Sequence, residues 1–262
     1  MLVAEGEAMQ ELFARAAAVR DETVGPVLYL RGLIEYSNIC RKNCLYCGIR
    51  RDNRSVARYR LTPDEVIAAA RYAGERRFGS VVLQGGEITT EEHIARIESL
   101  VVRIKSLFPE TPLGVTLSFG EQTEETYLRW FRAGAHRYLL RIESSSERLY
   151  RTIHPDDGLH RYEERLRALR ALRRVGYQVG TGVMIGLPGL TLADLADDIV
   201  FMRDMDIDMC GMGPYVEAGV TPLVERCGMP PDRAYRLETT LKMIAVLRLA
   251  MPDINIAAAT AL

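Results

Sequence analysis

A strict alternation of short apolar runs with stretches of helical periodicity constrains this chain's fold more than any other feature. Strand-like runs recur at 33–39, 80–84, 113–118, 137–142, 178–185, 208–212 and 255–259, with helical patterns at 62–77, 90–107, 124–133, 162–175, 191–205 and 232–251 between them. The first helical pattern opens on Thr62-Pro63-Asp64-Glu65, a capping residue followed by a first-turn proline and an acid that can bond back. Strand-then-helix order with short Gly- or Pro-bearing connections predicts parallel strands joined by right-handed crossovers. Seven strands in 262 residues predict an α/β chain of the (β/α) TIM-type barrel class rather than an open dinucleotide-binding sheet. The sequence stops on Thr260-Ala261-Leu262, where an eighth strand would be expected, so it reads as a shortened, incompletely closed barrel or as a fragment. The expected organisation is one domain, with a helical extension over 1–30 preceding a barrel over 33–262.

The chemistry is concentrated just after the first strand. Three cysteines fall within eight residues, Cys40-Arg41-Lys42-Asn43-Cys44-Leu45-Tyr46-Cys47. Three thiolates at C-x3-C-x2-C spacing can hold three irons of a cubane 4Fe-4S iron–sulfur cluster. No fourth cysteine follows nearby, so one iron would keep an open position, the property that separates a reactive metal centre from a closed structural one. A zinc knuckle would need a second cysteine pair of similar spacing, and only one half is present. In barrels, functional groups gather in the loops after the strands, where this loop lies. Five cysteines, three of them clustered, argue for metal binding in a reducing cytoplasm rather than for a disulfide framework, with Cys210 and Cys227 as plain thiols. A net charge of -1 leaves no electrostatic footprint for nucleic acid, and no apolar run approaches the length of a membrane span. The first twenty residues form an amphipathic pattern without a signal peptide's apolar stretch.

Two other groups of residues suit a small ligand. Arg137, Leu139, Arg141 and Glu143 share one strand face at period two, and three charges on one face are costly unless they line a wet or ligand-filled lumen. Thr116 and Ser118 share a face of the third strand, although small hydroxyl residues also serve as satisfied core groups. An open iron can chelate an amine and a carboxylate. If these belong to S-adenosylmethionine, an electron from the cluster can break the bond to the 5′ carbon and release a 5′-deoxyadenosyl radical.

On these residues the chain resembles the radical S-adenosylmethionine (radical SAM) enzymes, whose C-x3-C-x-aromatic-C motif is met by Tyr46 between Cys44 and Cys47. The resemblance implies that Cys40, Cys44 and Cys47 bind the cluster. It also implies that Gly85-Gly86-Glu87 receives the methionyl amino group through backbone carbonyls and that Gly186-Leu187-Pro188-Gly189 packs on adenine, with Met184 or Leu187 as apolar surface. The block from Ile34 through Arg-Lys-Asn-Cys-Leu-Tyr-Cys-Gly-Ile-Arg-Arg to Asn53 is similar to the FeFe-hydrogenase maturase E family, itself biotin synthase-like. Segments 58–63, 138–143, 184–189, 211–214 and 255–256 continue the match. Carried over, the likeness implies that Ser118, Glu143 and Arg165 hold S-adenosylmethionine, and that Thr116, Arg137, Arg141 and Thr260 line a pocket for a small anionic, sulfur-containing substrate. It further implies hydrogenase active-site maturation, a reduced donor of ferredoxin or flavodoxin type, and the other hydrogenase maturases as candidate partners.

The sequence departs from the pattern in places. Ala258-Ala259-Thr260 replaces a pair of threonines, and Ile142 stands where histidine is common. Three extra residues lie between Pro155 and Arg165, leaving Arg161 as an alternative to Arg165, and the segment that carries an auxiliary cluster in some members is absent. Alternative expectations are a methylornithine synthase-like mutase and a catalytically silent iron–sulfur barrel.

Overall fold

The computed structural model describes residues 1–219 and 221–258. In chain order the elements are α1 (Gly6–Thr23), β1 (Arg31–Ser37), α2 (Pro63–Glu75), β2 (Ser80–Gly85), α3 (Glu91–Lys105), β3 (Gly114–Ser118), α4 (Glu124–Arg132), β4 (Arg137–Leu139), α5 (Glu147–Ile153) and α6 (Tyr162–Val175). They continue as β5 (Gln178–Thr181), β6 (Met184–Ile185), α7 (Leu192–Asp204), β7 (Met209–Gly211), β8 (Gly213–Pro214), α8 (Leu223–Cys227), α9 (Arg233–Ala250) and β9 (Asn255–Ala257). The main sheet has seven strands in the order β1-β2-β3-β4-β5-β7-β9, which is the parallel (β/α) order expected from the alternation. Expectation and structure part in two kinds of place. The run 178–185 divides into β5 and the short β6, which pairs in parallel with β8. The turns of α5 and α8 carry too few periodic residues to register as helices in the sequence.

The chain forms two compact units, one of Leu28–Leu140 with Asp156–Val179, the other of Met1–Val27, Arg141–Pro155 and Gly180–Leu262. In the first unit β1, β2 and β3 are in parallel register through Arg31↔Ser80↔Gly114 and Glu35↔Gln84↔Ser118, with an irregularity between Glu35 and Ser37 where β1 feeds the cysteine loop. Threonine caps start its helices: Thr62 with Glu65 forms a full capping box on α2, Thr90 caps α3 and Thr123 caps α4. An aromatic core holds these layers. Trp130 stacks on Tyr138 at 6.4 Å, Tyr127 meets Tyr138 edge-on at 5.0 Å, and Trp130 Nε1 donates to the Ile94 carbonyl.

In the second unit β5, β7 and β9 are paired in parallel through Thr181↔Cys210↔Ile256. Leu12 and Ala16 of α1 pack on Ala245 of α9, and Thr23 Oγ1 donates to the Pro252 carbonyl, so the N-terminal helix is docked there. Thr191 and Asp194 form the capping box of α7.

Candidate active site

The cysteine loop belongs entirely to the first unit and is built from backbone hydrogen bonds. Cys47 N donates to the Cys44 carbonyl and Arg51 N to the Lys42 carbonyl, folding residues 42–51 back on themselves. Arg58 then ties the loop down. Its guanidinium donates to the carbonyls of Asn38, Ile49, Arg50, Arg51 and Asn53 at 2.6–3.4 Å. A planar fork of donors suits converging carbonyls in a way that a lysine could not. All three cysteines are free thiols, and Tyr46 is half-buried among them.

The loop rests on the segment after β2. Gly86 lies so close that a Cβ there would meet the Ile39 carbonyl at 2.3 Å and Cys40 Cβ at 2.6 Å. The glycine is therefore required by the cysteine loop itself. Gly86→Ala is expected to displace that loop and lower bound iron after anaerobic reconstitution by about half or more, since small misplacements of a constellation have large effects. Full iron content in the variant would refute this. Glu87 N donates to Cys40 Sγ at 3.3 Å, Lys42 N does so at 3.4 Å, and the Glu87 carbonyl accepts from Arg41 N. Such N–H···S bonds stabilise thiolate and tune a cluster.

Beneath the loop sits a buried charge cluster that sequence reasoning did not foresee. Glu87 accepts from Arg41 Nε at 2.9 Å and from Glu121 N at 2.7 Å. Glu121 takes Lys42 Nζ at 2.7 Å and Arg165 Nε at 2.5 Å, and Lys42 also donates to the Leu159 carbonyl. Burial pushes the Glu87 carboxyl up, against the pull of Lys42. Burial acts on Glu121 too, but Arg165 and Lys42 together outweigh it and hold its carboxyl below the ordinary value. The Glu87 carboxylate is thus committed to protein partners, while the cofactor role expected of Gly85-Gly86-Glu87 concerns its backbone carbonyls.

The extra residues before Arg165 become a clasp. Asn43 N donates to His160 Nε2 at 3.0 Å, while His160 Nδ1 meets Asp157 at 2.7 Å. Asp157 must accept there, so Nδ1 carries the proton and Nε2 is free to receive the loop amide. Arg161 lies exposed at the cap of α6, whereas Arg165 is buried beside Glu121 and close enough to Cys44 to act on its thiol. Burial, with Cys47 next, pushes the Cys44 thiol up to about 12, so thiolate there depends on nearby cations or on metal.

Three thiols on one loop, amides aimed at one sulfur and cations behind it fit the donor set of an iron–sulfur cluster. No three His, Cys, Asp or Glu side chains among the described residues converge as ligands of a single ion. Three thiols that each bind a different iron need no such convergence.

The other expected residues are placed as follows. Gly85 ends β2 against Ser37, and Ser118 ends β3, half-exposed. Thr116 is fully buried with its hydroxyl unpartnered, and fully buried in this way it presents no open surface to a substrate. Arg137 opens β4 rather than ending it. It donates to Gln178 and lies near Arg31, whose pKa is lowered by burial and then by Arg137, so it groups with the strand starts and not with the cysteine loop. The expected shared face ends early, because β4 stops at Leu139 and the backbone turns at Glu143, a non-glycine residue with φ of 65°.

Glu143 and Arg141 belong to the second unit and pair with each other at 3.0 Å. The left-handed Glu143 is held by Gly182 O and Met184 N on one side, and on the other by the Ser145 amide and hydroxyl, both bonded to buried Asp198 at 2.6 Å. A strained conformation that its surroundings enforce fits a functional side chain. Met184 is half-buried, but Leu187 is fully enclosed by protein and leaves no face for a ring to stack on. Thr260 lies outside the described residues.

The Radical SAM superfamily model matches residues 34–202. The FeFe hydrogenase maturase subunit HydE of Thermotoga maritima is 42% identical over 97% of this chain and 69% of its own length. Biotin synthase of Geobacter sulfurreducens is 32% identical over 98% of this chain and 75% of its own. Among solved structures, methylornithine synthase (PylB) superposes with a TM-score of 0.85 at 26% identity, covering 97% of this chain and 72% of that one.

Proposed function

The chain belongs to the radical S-adenosylmethionine superfamily of enzymes, and from that premise we propose that it cleaves S-adenosylmethionine reductively at a 4Fe-4S cluster in the maturation of an FeFe-hydrogenase active site. The observation that carries the reading is the cysteine loop with three free thiols, two amides on Cys40 Sγ and buried cations behind it. The likeness to HydE supports the maturation role.

When bound, the cluster supplies one electron and S-adenosylmethionine supplies a 5′-deoxyadenosyl radical on cleavage. Cys40, Cys44 and Cys47 would hold the cluster, and Lys42 and Arg165 offset part of the negative charge of three thiolates. Arg165 is assigned to the cofactor's carboxylate, Glu143 to its polar hydroxyl or amine groups, and Ser118 is a further candidate for the cofactor. Arg141 pins the Glu143 carboxylate, so its orientation is set before any ligand arrives. A small anionic, sulfur-containing substrate is assigned to Arg141, whereas Thr116, which is enclosed, and Arg137, which lies at the strand starts, are left out of that role. Thr260 lies outside the described residues, and the fold is read as a single catalytic domain.

Anaerobic reconstitution followed by dithionite and S-adenosylmethionine tests the reading. Wild type is expected to form 5′-deoxyadenosine and Cys44→Ala to form none above background. Equal yields from both would sink it. The likeness to methylornithine synthase favours a second reading, carbon-skeleton rearrangement of an amino acid. Turnover of lysine would select it, and consumption of an iron-bound cysteine complex would select maturation.

A further inference from the structure

Residues 40–60 hold seven arginine or lysine side chains against the single acid Asp52, in a chain whose formal net charge is -1. Lys42 is neutralised inside the fold by Glu121, and the part-exposed Arg41 pairs with buried Glu87. The remainder is a surface: Arg51, Arg54, Arg58 and Arg60 are exposed and Arg50 is half-buried. Asp52 pairs with Arg51 at 2.9 Å and also acts on Arg50, and Asp157 acts on Arg51, so two acids stand against five cations.

We propose that this basic face of the cysteine loop is the docking surface for an acidic, low-potential one-electron carrier protein that reduces the cluster. The inference rests on the radical S-adenosylmethionine reading, which requires an electron from outside, and it adds where that electron enters and what charge its carrier bears. Position is the first reason. Arg51 N bonds the Lys42 carbonyl at 2.8 Å and Arg50 N bonds the Cys47 carbonyl at 3.2 Å, so the exposed cations are one backbone hydrogen bond from the cysteine segment. Rigidity is the second. The five carbonyls gathered by Arg58, with Asn53 Nδ2 on the Gly48 carbonyl at 2.7 Å, fix the shape of the face before a partner arrives. Charge is the third. A patch in which cations outnumber acids, on a chain that is near neutral overall, selects an acidic partner and speeds its encounter. In the transfer the carrier loses one electron and the cluster gains it, and no covalent bond forms or breaks.

The test uses an acidic ferredoxin as probe, with the reconstituted wild type and an Arg51→Glu/Arg54→Glu double variant. Arg54 makes no side-chain hydrogen bond to the loop, and the Arg51 guanidinium bonds Asp52 at the surface, so iron content of the variant is measured first to show that the loop still holds the cluster. Stopped-flow bleaching of the cluster gives the second-order rate of reduction, and equilibrium binding of the oxidised ferredoxin gives a Kd without turnover. Wild type is expected to be reduced about tenfold more slowly as ionic strength rises from about 0.05 to about 0.5 M. The variant is expected to be about tenfold slower than wild type at low salt and nearly insensitive to salt, with Kd weakened in parallel. Reduction by dithionite, a small inorganic donor, is expected to be equal in the two proteins. A ferredoxin rate and Kd unchanged by the double substitution would overturn the proposal. So would a substitution that weakens only binding to an RNA or to anionic vesicles. If neither protein forms 5′-deoxyadenosine with dithionite, the enzymatic reading fails separately, and the Kd comparison still decides the docking surface.

Discussion

Replacing Glu121 with alanine is expected to lower the stability of the folded chain by about 3–5 kcal/mol, a fall of about 10 °C in Tm for a chain of this size. Glu121 is the shared partner of Lys42 and Arg165 at 2.7 and 2.5 Å, and both cations are buried. Its removal leaves Lys42 with Glu87 at 3.7 Å and the Leu159 carbonyl, and takes from Arg165 the carboxylate on its Nε. A buried charge that has lost its partner retains its desolvation penalty, so the loss exceeds the worth of the pair. Glu124, three residues on, pairs with Arg174 in solvent, and Glu124→Ala should leave Tm nearly unchanged. Thermal unfolding of the two variants under reducing conditions decides the matter. Equal losses would mean that the cluster beneath the cysteine loop is not held by Glu121. Because the same residues carry the loop, Glu121→Ala should also retain less iron than Glu124→Ala.

The second large effect appears with pH. Asp198 is fully buried, accepts both Ser145 donors on one oxygen and has no partner for the other, and burial raises its pKa from 3.8 to about 6. The folded chain therefore keeps a proton that the unfolded chain releases near pH 4. Its stabilising contribution is full below pH 4 and lost as pH rises through 6. His93 acts in the opposite sense. It is buried between Tyr36 and Phe119 with both ring nitrogens unpartnered, and burial lowers its pKa from 6.5 to about 4. The unfolded chain takes up a proton as pH falls below 6.5 and the folded chain does not, so stability present above 6.5 is lost on the way to 4. Each effect amounts to about 2 kcal/mol at pH 4.5, at 1.36 kcal/mol per pH unit. In wild type they nearly cancel. Between pH 6.5 and 4.5, Asp198→Asn should lose about 2 kcal/mol more than wild type, and His93→Gln should lose about 2 kcal/mol less. Guanidinium midpoints of the three proteins at both pH values check this, since every other carboxylate is common to all. Parallel slopes in all three would remove the account.

The same residues show what can be read from a sequence and what cannot. Local signals were legible. Thr62 with Glu65 and Thr123 before α4 announce helix starts because a side-chain oxygen must meet amides only two or three residues away. Strand runs were legible because an apolar run between turn residues is itself local. The end of β4 was not. Arg137, Arg141 and Glu143 satisfy a period of two on paper, but the turn at Glu143 depends on Gly182, on Met184 and on a serine held by Asp198 from another helix. Leu187 and Met184 look alike as apolar surface near a Gly-Pro turn, and only packing separates the enclosed one from the half-exposed one.

The candidate site divides in the same way. The spacing of Cys40, Cys44 and Cys47 declares a metal centre because ligand type and count are written in a single short loop. Lys42 lies inside that loop and carried no signal, since a lysine between cysteines is by itself a solvated charge. Glu121 follows a strand end, where function gathers, but nothing in its neighbours says that it will accept two buried cations. The segment between Pro155 and Arg165, with its three extra residues, looked like an interruption that blurred the choice of arginine. In the fold they clasp the cysteine loop through Asp157 and His160, and they leave Arg165 buried while Arg161 is exposed.

By itself, then, the amino-acid order determined the alternating strands and helices, the three-thiol loop and the likeness that those residues carry. Each depends on neighbours a few positions apart or on a pattern repeated along the chain. Tertiary structure alone decided which charges are buried, which of two arginines meets the cysteines and where Glu143 turns. Those outcomes depend on the distance through space between residues far apart in the chain, as with Lys42 and Arg165, 123 positions apart, which share the Glu121 carboxylate. Burial then sets the strength of each interaction, and no local pattern encodes it.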